Sequence, residues 1–72
     1  MNKAKLKEAI ENYEYNHSGI SYNNGSYAKA VNIKITKDKV FADILLVQQF
    51  EGTTERYNEC EYPREYFKEL EE

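Results

Sequence analysis

Four residues near the C-terminus have types and a spacing that could do chemistry. Glu55, Tyr57, Glu59 and Glu61 alternate along a β-prone stretch, so in an extended strand they would share one face. Successive carboxylates on that face would stand ~6.8 Å apart, which leaves room for a water molecule between them, as in inverting glycosidases. Nothing nearby predicts the apolar pocket that would raise one carboxyl pKa, so the pattern disfavours acid–base catalysis.

The same residues predict a binding surface. Negative charge continues beyond them through Glu65, Glu69 and Glu72. A row of carboxylates can imitate a nucleic-acid backbone and occupy the basic groove of a protein that binds nucleic acid. The simpler interpretation is a solvated acidic face on an edge strand. The partner-binding residues predicted here are Glu55, Tyr57, Glu59, Glu61, Glu65 and Glu69.

The single cysteine and the single histidine do not form a clear nucleophile–base pair. Cys60 lies between Glu59 and Glu61, whose charges would raise the pKa of its thiol and make it a poor nucleophile. His17 is far away in the sequence, so a Cys–His site would need two distant segments to meet. Without a CxxC pair or a histidine cluster, we expect no metal, no cofactor and no enzymatic activity.

Seven tyrosines could support a different kind of site. Tyr22 and Tyr27 flank an Asn24-Gly25 turn and are suited to a protein interface, or to stacking on a small ligand between subunits. Stacking on nucleic acid is disfavoured by the net charge of −3 and by the lack of a basic cluster outside the N-terminal segment. The alternative hypothesis is therefore a homo-oligomer that binds or sequesters a nucleotide-like ligand at Tyr22, Asn24 and Tyr27.

The elements that would position these residues are arranged around the apolar run over residues 40–50. Its apolar side chains occur at both odd and even positions, which is typical of a central strand covered on two faces. A half-buried strand over 27–36 precedes the run, and a β-prone stretch over 53–62 follows it. Short turns join the three, so the sequence predicts an antiparallel meander.

Helices are predicted at both ends of this meander. Leu6 and Ile10 belong to an apolar stripe of helical spacing over 3–15, with Asn2 as the N-cap and Gly19 as the stop. A second, short helix is expected over 63–71. Residues 20–22 form either a short strand of an Asn24-Gly25 hairpin or part of a polar loop over 16–28. The predicted fold is α+β, with an N-terminal helix packed on a three- or four-stranded antiparallel meander sheet and a short C-terminal helix, in one domain over 1–72.

One face of the central strand is left without an obvious cover. The N-terminal helix would cover one face, and Phe41, Leu45 and Val47 would remain on the other. The short terminal helix, a second copy of the chain or a partner could cover them. Because two helical turns offer little apolar contact, the sequence favours a homodimer or a surface that depends on a partner.

Size, charge and composition indicate the class of protein. A chain of 72 residues has one small core, worth about 3–5 kcal/mol of net stability. The net charge is +2 over residues 1–50 and −5 over residues 51–72. No apolar run approaches the ~20 residues of a membrane span, and no signal peptide is evident, so we expect a cytoplasmic protein. The abundance of Asn, Lys, Ile, Glu and Tyr is typical of an AT-rich genome. The preferred hypothesis is a phage or mobile-element protein that inhibits a host defence or nucleic-acid-processing protein through its acidic C-terminal surface.

Overall fold

Three antiparallel strands and three helical segments make up the described part of the chain. The computed structural model describes residues 1–22 and 24–71, apart from the Tyr22 side chain. In chain order the elements are α1 (Lys3–His17), a 3₁₀ helix (Ile20–Tyr22), β1 (Ser26–Ile35), β2 (Lys39–Gln48), β3 (Thr53–Pro63) and a terminal 3₁₀ helix (Arg64–Leu70). The sheet order is β1-β2-β3, with β2 in the centre. The predicted α+β fold with an antiparallel meander is confirmed, with three strands among the described residues.

The caps of α1 are those that the sequence predicts. The Asn2 side chain accepts hydrogen bonds from two N–H groups of the first turn, at 2.8 and 3.2 Å. At the other end Gly19 has φ of +85°, the left-handed conformation that ends a helix. Between the caps, Leu6 and Ile10 are fully buried. The chain therefore turns away from α1 at Gly19 with the apolar stripe of the helix already on the sheet.

The core lies between α1 and one face of the sheet. Leu6 and Ile10 pack there with apolar residues of the sheet and of both 3₁₀ helices, which are Ile20, Ala28, Ala30, Val40, Ala42, Ile44, Leu46, Tyr62 and Phe67. The ring of Tyr62 lies 5.8 Å from that of Tyr13 and 6.0 Å from that of Phe67. These contacts place the terminal 3₁₀ helix on the same side of the sheet as α1.

The opposite side of the sheet, called the open face below, is not covered by any described element. The strand register assigns it Tyr27, Lys29, Val31 and Lys34 from β1, Lys39, Phe41, Asp43, Leu45 and Val47 from β2, and Thr54, Arg56 and Glu61 from β3. One alternative left open above was that the terminal helix covers Phe41, Leu45 and Val47. That alternative is wrong, because Phe67 packs against Tyr62 on the α1 side.

Within the segment between α1 and β1, residues 20–22 form neither the strand nor the loop that the sequence predicts. Residues Ile20–Tyr22 form a 3₁₀ helix instead of a strand, and the backbone carbonyl of Ile20 accepts a hydrogen bond from the Ser26 hydroxyl at 2.5 Å. Ile20 is buried, because the turn at Gly19 directs it into the core beside the end of α1. Asn24 and Gly25 form a turn, as predicted, and Asn23 lies outside the described residues.

Both edge strands carry a bulge beside Asp43. Asn32 in β1 and Glu59 in β3 have φ of 54° and 53°, and the strand register shifts at both places. The Asp43 carboxylate accepts hydrogen bonds from the Asn32 side chain and from the Glu59 N–H, each at 2.8 Å. Arg56 also donates to it, at 3.1 Å. A single side chain of the central strand thus stabilises a bulge on each side.

Candidate functional site

The bulge at Glu59 divides the acidic row that the sequence predicts. Glu55 and Tyr57 pair with buried residues of β2 and therefore face the α1 side, whereas Glu61 pairs with Phe41 and lies on the open face. The prediction that these residues share one face is wrong. The extra residue of the bulge shifts the alternation of side chains by one position.

The acidic residues of the C-terminal third differ in whether the chain itself balances their charge. Glu61 forms an ion pair with Lys39, and Glu71 forms one with Arg64. Five others are exposed and make no ion pair with any described residue: Glu51, Glu55, Glu59, Glu65 and Glu69. Glu72, the end of the predicted row, lies outside the described residues. The acidic character of this region therefore remains available to a partner.

A groove of about 450 Å³ lies between the C-terminal end of α1 and β3. Ile44 and Leu46 are its buried apolar residues, while Glu14 approaches from α1 and Glu55 from β3. The complete lining is Glu14, Ser18, Gly19, Ile20, Ile44, Leu46, Gln48, Glu55, Tyr57 and Cys60. The groove therefore combines two carboxylates with an apolar surface.

Two tyrosines orient the carboxylates of the groove. The Tyr57 hydroxyl donates to Glu55, and the Tyr62 hydroxyl donates to Glu14, each at 2.5 Å. The hydrogen bond to Glu55 raises the pKa of Tyr57 above its ordinary value. Burial, followed by the hydrogen bond to Glu14, raises the pKa of Tyr62 well above its ordinary value. Both hydroxyls are therefore protonated donors at neutral pH, and no described donor reaches the second oxygen of either carboxylate.

Cys60 lines the same groove but is not an activated nucleophile. Burial, and then the negative charge of Glu14, raise the pKa of the thiol. The direction of this shift is the predicted one, although its charged causes are Glu14 and Asp43 instead of the neighbours Glu59 and Glu61. The thiol is therefore protonated at neutral pH.

His17 is engaged within its own helix. Its ring stacks on Tyr13 at 4.2 Å between centroids, and its Nδ1 lies 2.7 Å from the Tyr13 carbonyl oxygen. The Cys60 thiol instead donates to the Tyr57 carbonyl, at 3.7 Å. Among residues 1–22 and 24–71, no group of three or more His, Cys, Asp or Glu side chains is placed to hold a metal ion.

The alternative site at the Asn24-Gly25 turn is only partly described. Tyr27 is 43 % exposed and lies on the open face opposite Val47, and Asn24 is exposed in the turn. The side chain of Tyr22 lies outside the described part of the chain. Neither Asn24 nor Tyr27 lines the groove beside β3.

Sequence reasoning missed two residues that matter here, Glu14 and Asp43. Asp43 had a usable signal, because it is the one charged residue inside the apolar run over 40–50 and a carboxylate there needs donors from both neighbouring strands. Glu14 had none. Its approach to β3 depends on how α1 crosses the sheet, and its Tyr62 partner is 48 residues away in the chain.

No family model, curated protein or solved structure matches the chain. Within the described residues, none of the helices has the length and apolar character needed to cross a membrane.

Proposed function

We propose that this is a small, non-catalytic cytoplasmic protein that binds a basic surface of a protein partner through the α1–β3 groove and the exposed acidic residues of its C-terminal third. The groove supports the proposal most directly. Its carboxylates, Glu14 and Glu55, each have one oxygen held by a tyrosine and one oxygen without a described donor. The exposed acids Glu59, Glu65 and Glu69 add negative charge outside the groove.

The combination of carboxylates with an apolar surface indicates the kind of side chain that fits. Lys and Arg carry a cationic head on a long aliphatic stem. The stem could lie along Ile44 and Leu46 while the head reaches Glu14 or Glu55. A planar guanidinium could also donate to one carboxylate through two parallel hydrogen bonds, so Arg suits the groove better than Lys.

The biological role we propose is inhibition of a nucleic-acid-processing protein, such as a component of host defence, by a protein of phage or mobile-element origin. Proteins that bind nucleic acid do so largely through Lys and Arg side chains that contact phosphates. A surface with several unbalanced carboxylates can occupy the same side chains and thereby exclude the nucleic acid.

Binding of a labelled oligoarginine peptide, followed by fluorescence anisotropy at low salt, tests the groove. The double variant Glu14→Gln/Glu55→Gln should bind roughly two- to thirtyfold more weakly, because each of the two charges in this solvent-accessible groove contributes ~0.2–1 kcal/mol. Glutamine can still accept from the two tyrosines, so the fold should be retained. The matched control, Glu61→Gln/Glu71→Gln, removes the same charge from residues that are paired within the chain. An equal loss of affinity in the control would contradict a localised site.

Competition tests the inhibitory role separately. A partner protein is first captured with the wild-type chain and is then bound to a labelled DNA duplex. Addition of the wild-type chain should displace the duplex, and the groove double variant should displace less of it. A ternary complex of partner, duplex and chain would contradict inhibition by occupation of the nucleic-acid site.

A further inference from the structure

We propose that the open face of the sheet is a self-association surface, on which a second copy of the chain packs face to face. This inference is independent of the acidic groove, which lies on the α1 side of the sheet. It concerns the side chains of β2 that no described element covers and the charged residues that flank them on the edge strands.

The centre of the open face is apolar. Phe41, Leu45 and Val47 lie along β2 and are partly exposed, and Val31 lies beside them on β1. Antiparallel sheets that leave one face in water normally carry polar side chains on that face. Two sheets packed in alignment, about 10 Å apart, would remove these four side chains from water.

Asp43 does not prevent such packing, although it lies in the middle of the apolar stripe. Its carboxylate accepts from the Asn32 side chain, the Glu59 N–H and the Arg56 guanidinium. Its side chain is only 14 % exposed in the single chain, so little of it remains to be removed from water. A charge that is paired and hydrogen-bonded in this way can be covered at a much smaller cost than an isolated one.

The charged residues of the face determine how a second copy would lie. The register aligns Lys34, Phe41 and Glu61 in one row across the three strands. A two-fold axis parallel to β2 exchanges β1 and β3 between the two copies, so Lys34 of each copy comes opposite Glu61 of the other. Lys34 makes no ion pair with any described residue, and Glu61 can join its present partner Lys39 with the new lysine.

The same axis brings Lys29 opposite Arg56 of the second copy, since both pair with Leu45. Arg56 is already paired with Asp43, so Lys29 would meet an ion pair instead of a free cation. Lys29 is exposed at the edge of the sheet and its long side chain can extend into water.

Residues of β2 come opposite their own copies on this axis, so Lys39 faces Lys39 and Asp43 faces Asp43. Each of these charges already has a partner within its own chain, Glu61 for Lys39 and Arg56 for Asp43, whereas Lys34 gains one. The two symmetric Lys34–Glu61 contacts therefore favour this alignment.

Sedimentation velocity with charge-exchange variants tests the inference. The wild-type chain should form dimers that dissociate in the micromolar range, as expected for a small interface. Lys34→Glu and Glu61→Lys should each be monomeric over that range, because each places like charges opposite one another twice. An equal mixture of the two variants should form a heterodimer. Its two substituted positions would face each other with opposite charges, and the native Lys34 of one chain would face the native Glu61 of the other.

Two variants on the terminal 3₁₀ helix are the control for this experiment. Lys68→Glu and Glu69→Lys make the same charge changes on the terminal 3₁₀ helix, away from the open face, and should leave the dimer intact. Circular dichroism should confirm that all variants fold, since both exchanged side chains are exposed. A wild-type chain that stays monomeric, or a mixture that associates no better than its components, would overturn the inference. The inference would also be overturned if the chain were monomeric and the NMR signals of the Phe41 and Leu45 amides shifted on addition of oligothymidylate. Such shifts would assign the open face to nucleic acid.

Discussion

Asp43 connects the two edge strands of the sheet through its hydrogen bonds. It accepts from Asn32 on β1 and from Glu59 and Arg56 on β3, so both bulges depend on one carboxylate. The hydrogen bond from Asn32, then that from the Glu59 N–H, hold the pKa of Asp43 below its ordinary value of 3.8. The charged form is therefore the one that the folded state prefers.

The Asp43→Asn variant should consequently lose stability in a pH-dependent manner. Because the pKa is lower in the folded state, the contribution of the carboxylate is fully present above the unfolded-state pKa of about 4 and is lost as the pH falls through the folded-state value. Urea unfolding at several pH values should show a lower midpoint for the variant at pH 7 and a difference that narrows below about pH 4.

Asp38→Asn is the matched control for this experiment. Asp38 is exposed in the turn before β2, and its side chain makes no hydrogen bond or ion pair with a described residue. Its replacement should change the free energy of unfolding by less than about 0.5 kcal/mol at pH 7. A difference between wild type and Asp43→Asn that stays constant down to pH 2, roughly two units below the ordinary pKa, would mean that the charge is not responsible.

At the scale of elements, the segments determined by local signals were predictable and those determined by distant partners were not. The Asn2 cap, the stop at Gly19 and the turns on either side of β2 each depend on residues that are close in sequence. The bulge at Glu59 does not, because its N–H is satisfied by Asp43, which lies 16 positions earlier. This single unpredicted bulge places Glu61 and Glu55 on opposite faces of the sheet, so the predicted acidic row is divided.

The bulge at Glu59 also shapes the exposed edge of the sheet. β3 is an edge strand that is exposed along most of its length, and such strands risk pairing with other chains. An extra residue in the left-handed conformation interrupts the regular row of backbone groups. The bulge at Glu59 and the charges of the neighbouring glutamates are features that disfavour such pairing.

Substitution of Glu59 should follow its backbone conformation. Glu59 has φ of 53°, a conformation that glycine adopts without strain. The free energy of unfolding of Glu59→Gly should therefore stay within about 1 kcal/mol of the wild-type value. Glu59→Val should cost roughly 1–3 kcal/mol, because a β-branched side chain is disfavoured there.

Urea unfolding of these variants should be compared with that of Glu61→Val. Glu61 occupies a regular strand position, where valine is favoured. Glu61→Val should therefore lower the free energy of unfolding by less than Glu59→Val does. Equal effects of Glu59→Gly and Glu59→Val would show that the strand can lose the bulge without cost.

At the scale of the whole molecule, the two proposed surfaces lie on opposite sides of one sheet. The groove between α1 and β3 faces away from the open face, so a dimer formed through the open face would carry two grooves directed outward. A partner with repeated basic sites could then be bound at two points, and avidity would strengthen a weak single contact. The affinity for oligoarginine should therefore be compared below and above the concentration at which dimers form.

The terminal 3₁₀ helix completes the core on the α1 side, and its contribution can be measured with two phenylalanines. Phe67 is 5 % exposed and packs against Tyr62 and Tyr66, whereas Phe50 is 85 % exposed in the turn after β2. Phe67→Ala should lower the free energy of unfolding by about 3 kcal/mol or more. A core of this size supplies only about 3–5 kcal/mol in total, so the variant should be partly unfolded at room temperature.

Phe50→Ala is the control, because it removes the same atoms from a side chain that is already in water, and it should change stability by less than about 0.5 kcal/mol. Both variants should be followed by thermal circular dichroism at concentrations below those that support a dimer, so that self-association does not contribute. Equal and small effects would mean that the terminal helix does not depend on Phe67. A larger loss of stability for Phe67→Ala than for Phe50→Ala would show that the core on the α1 side stabilises the single chain. The open face would then be free for association.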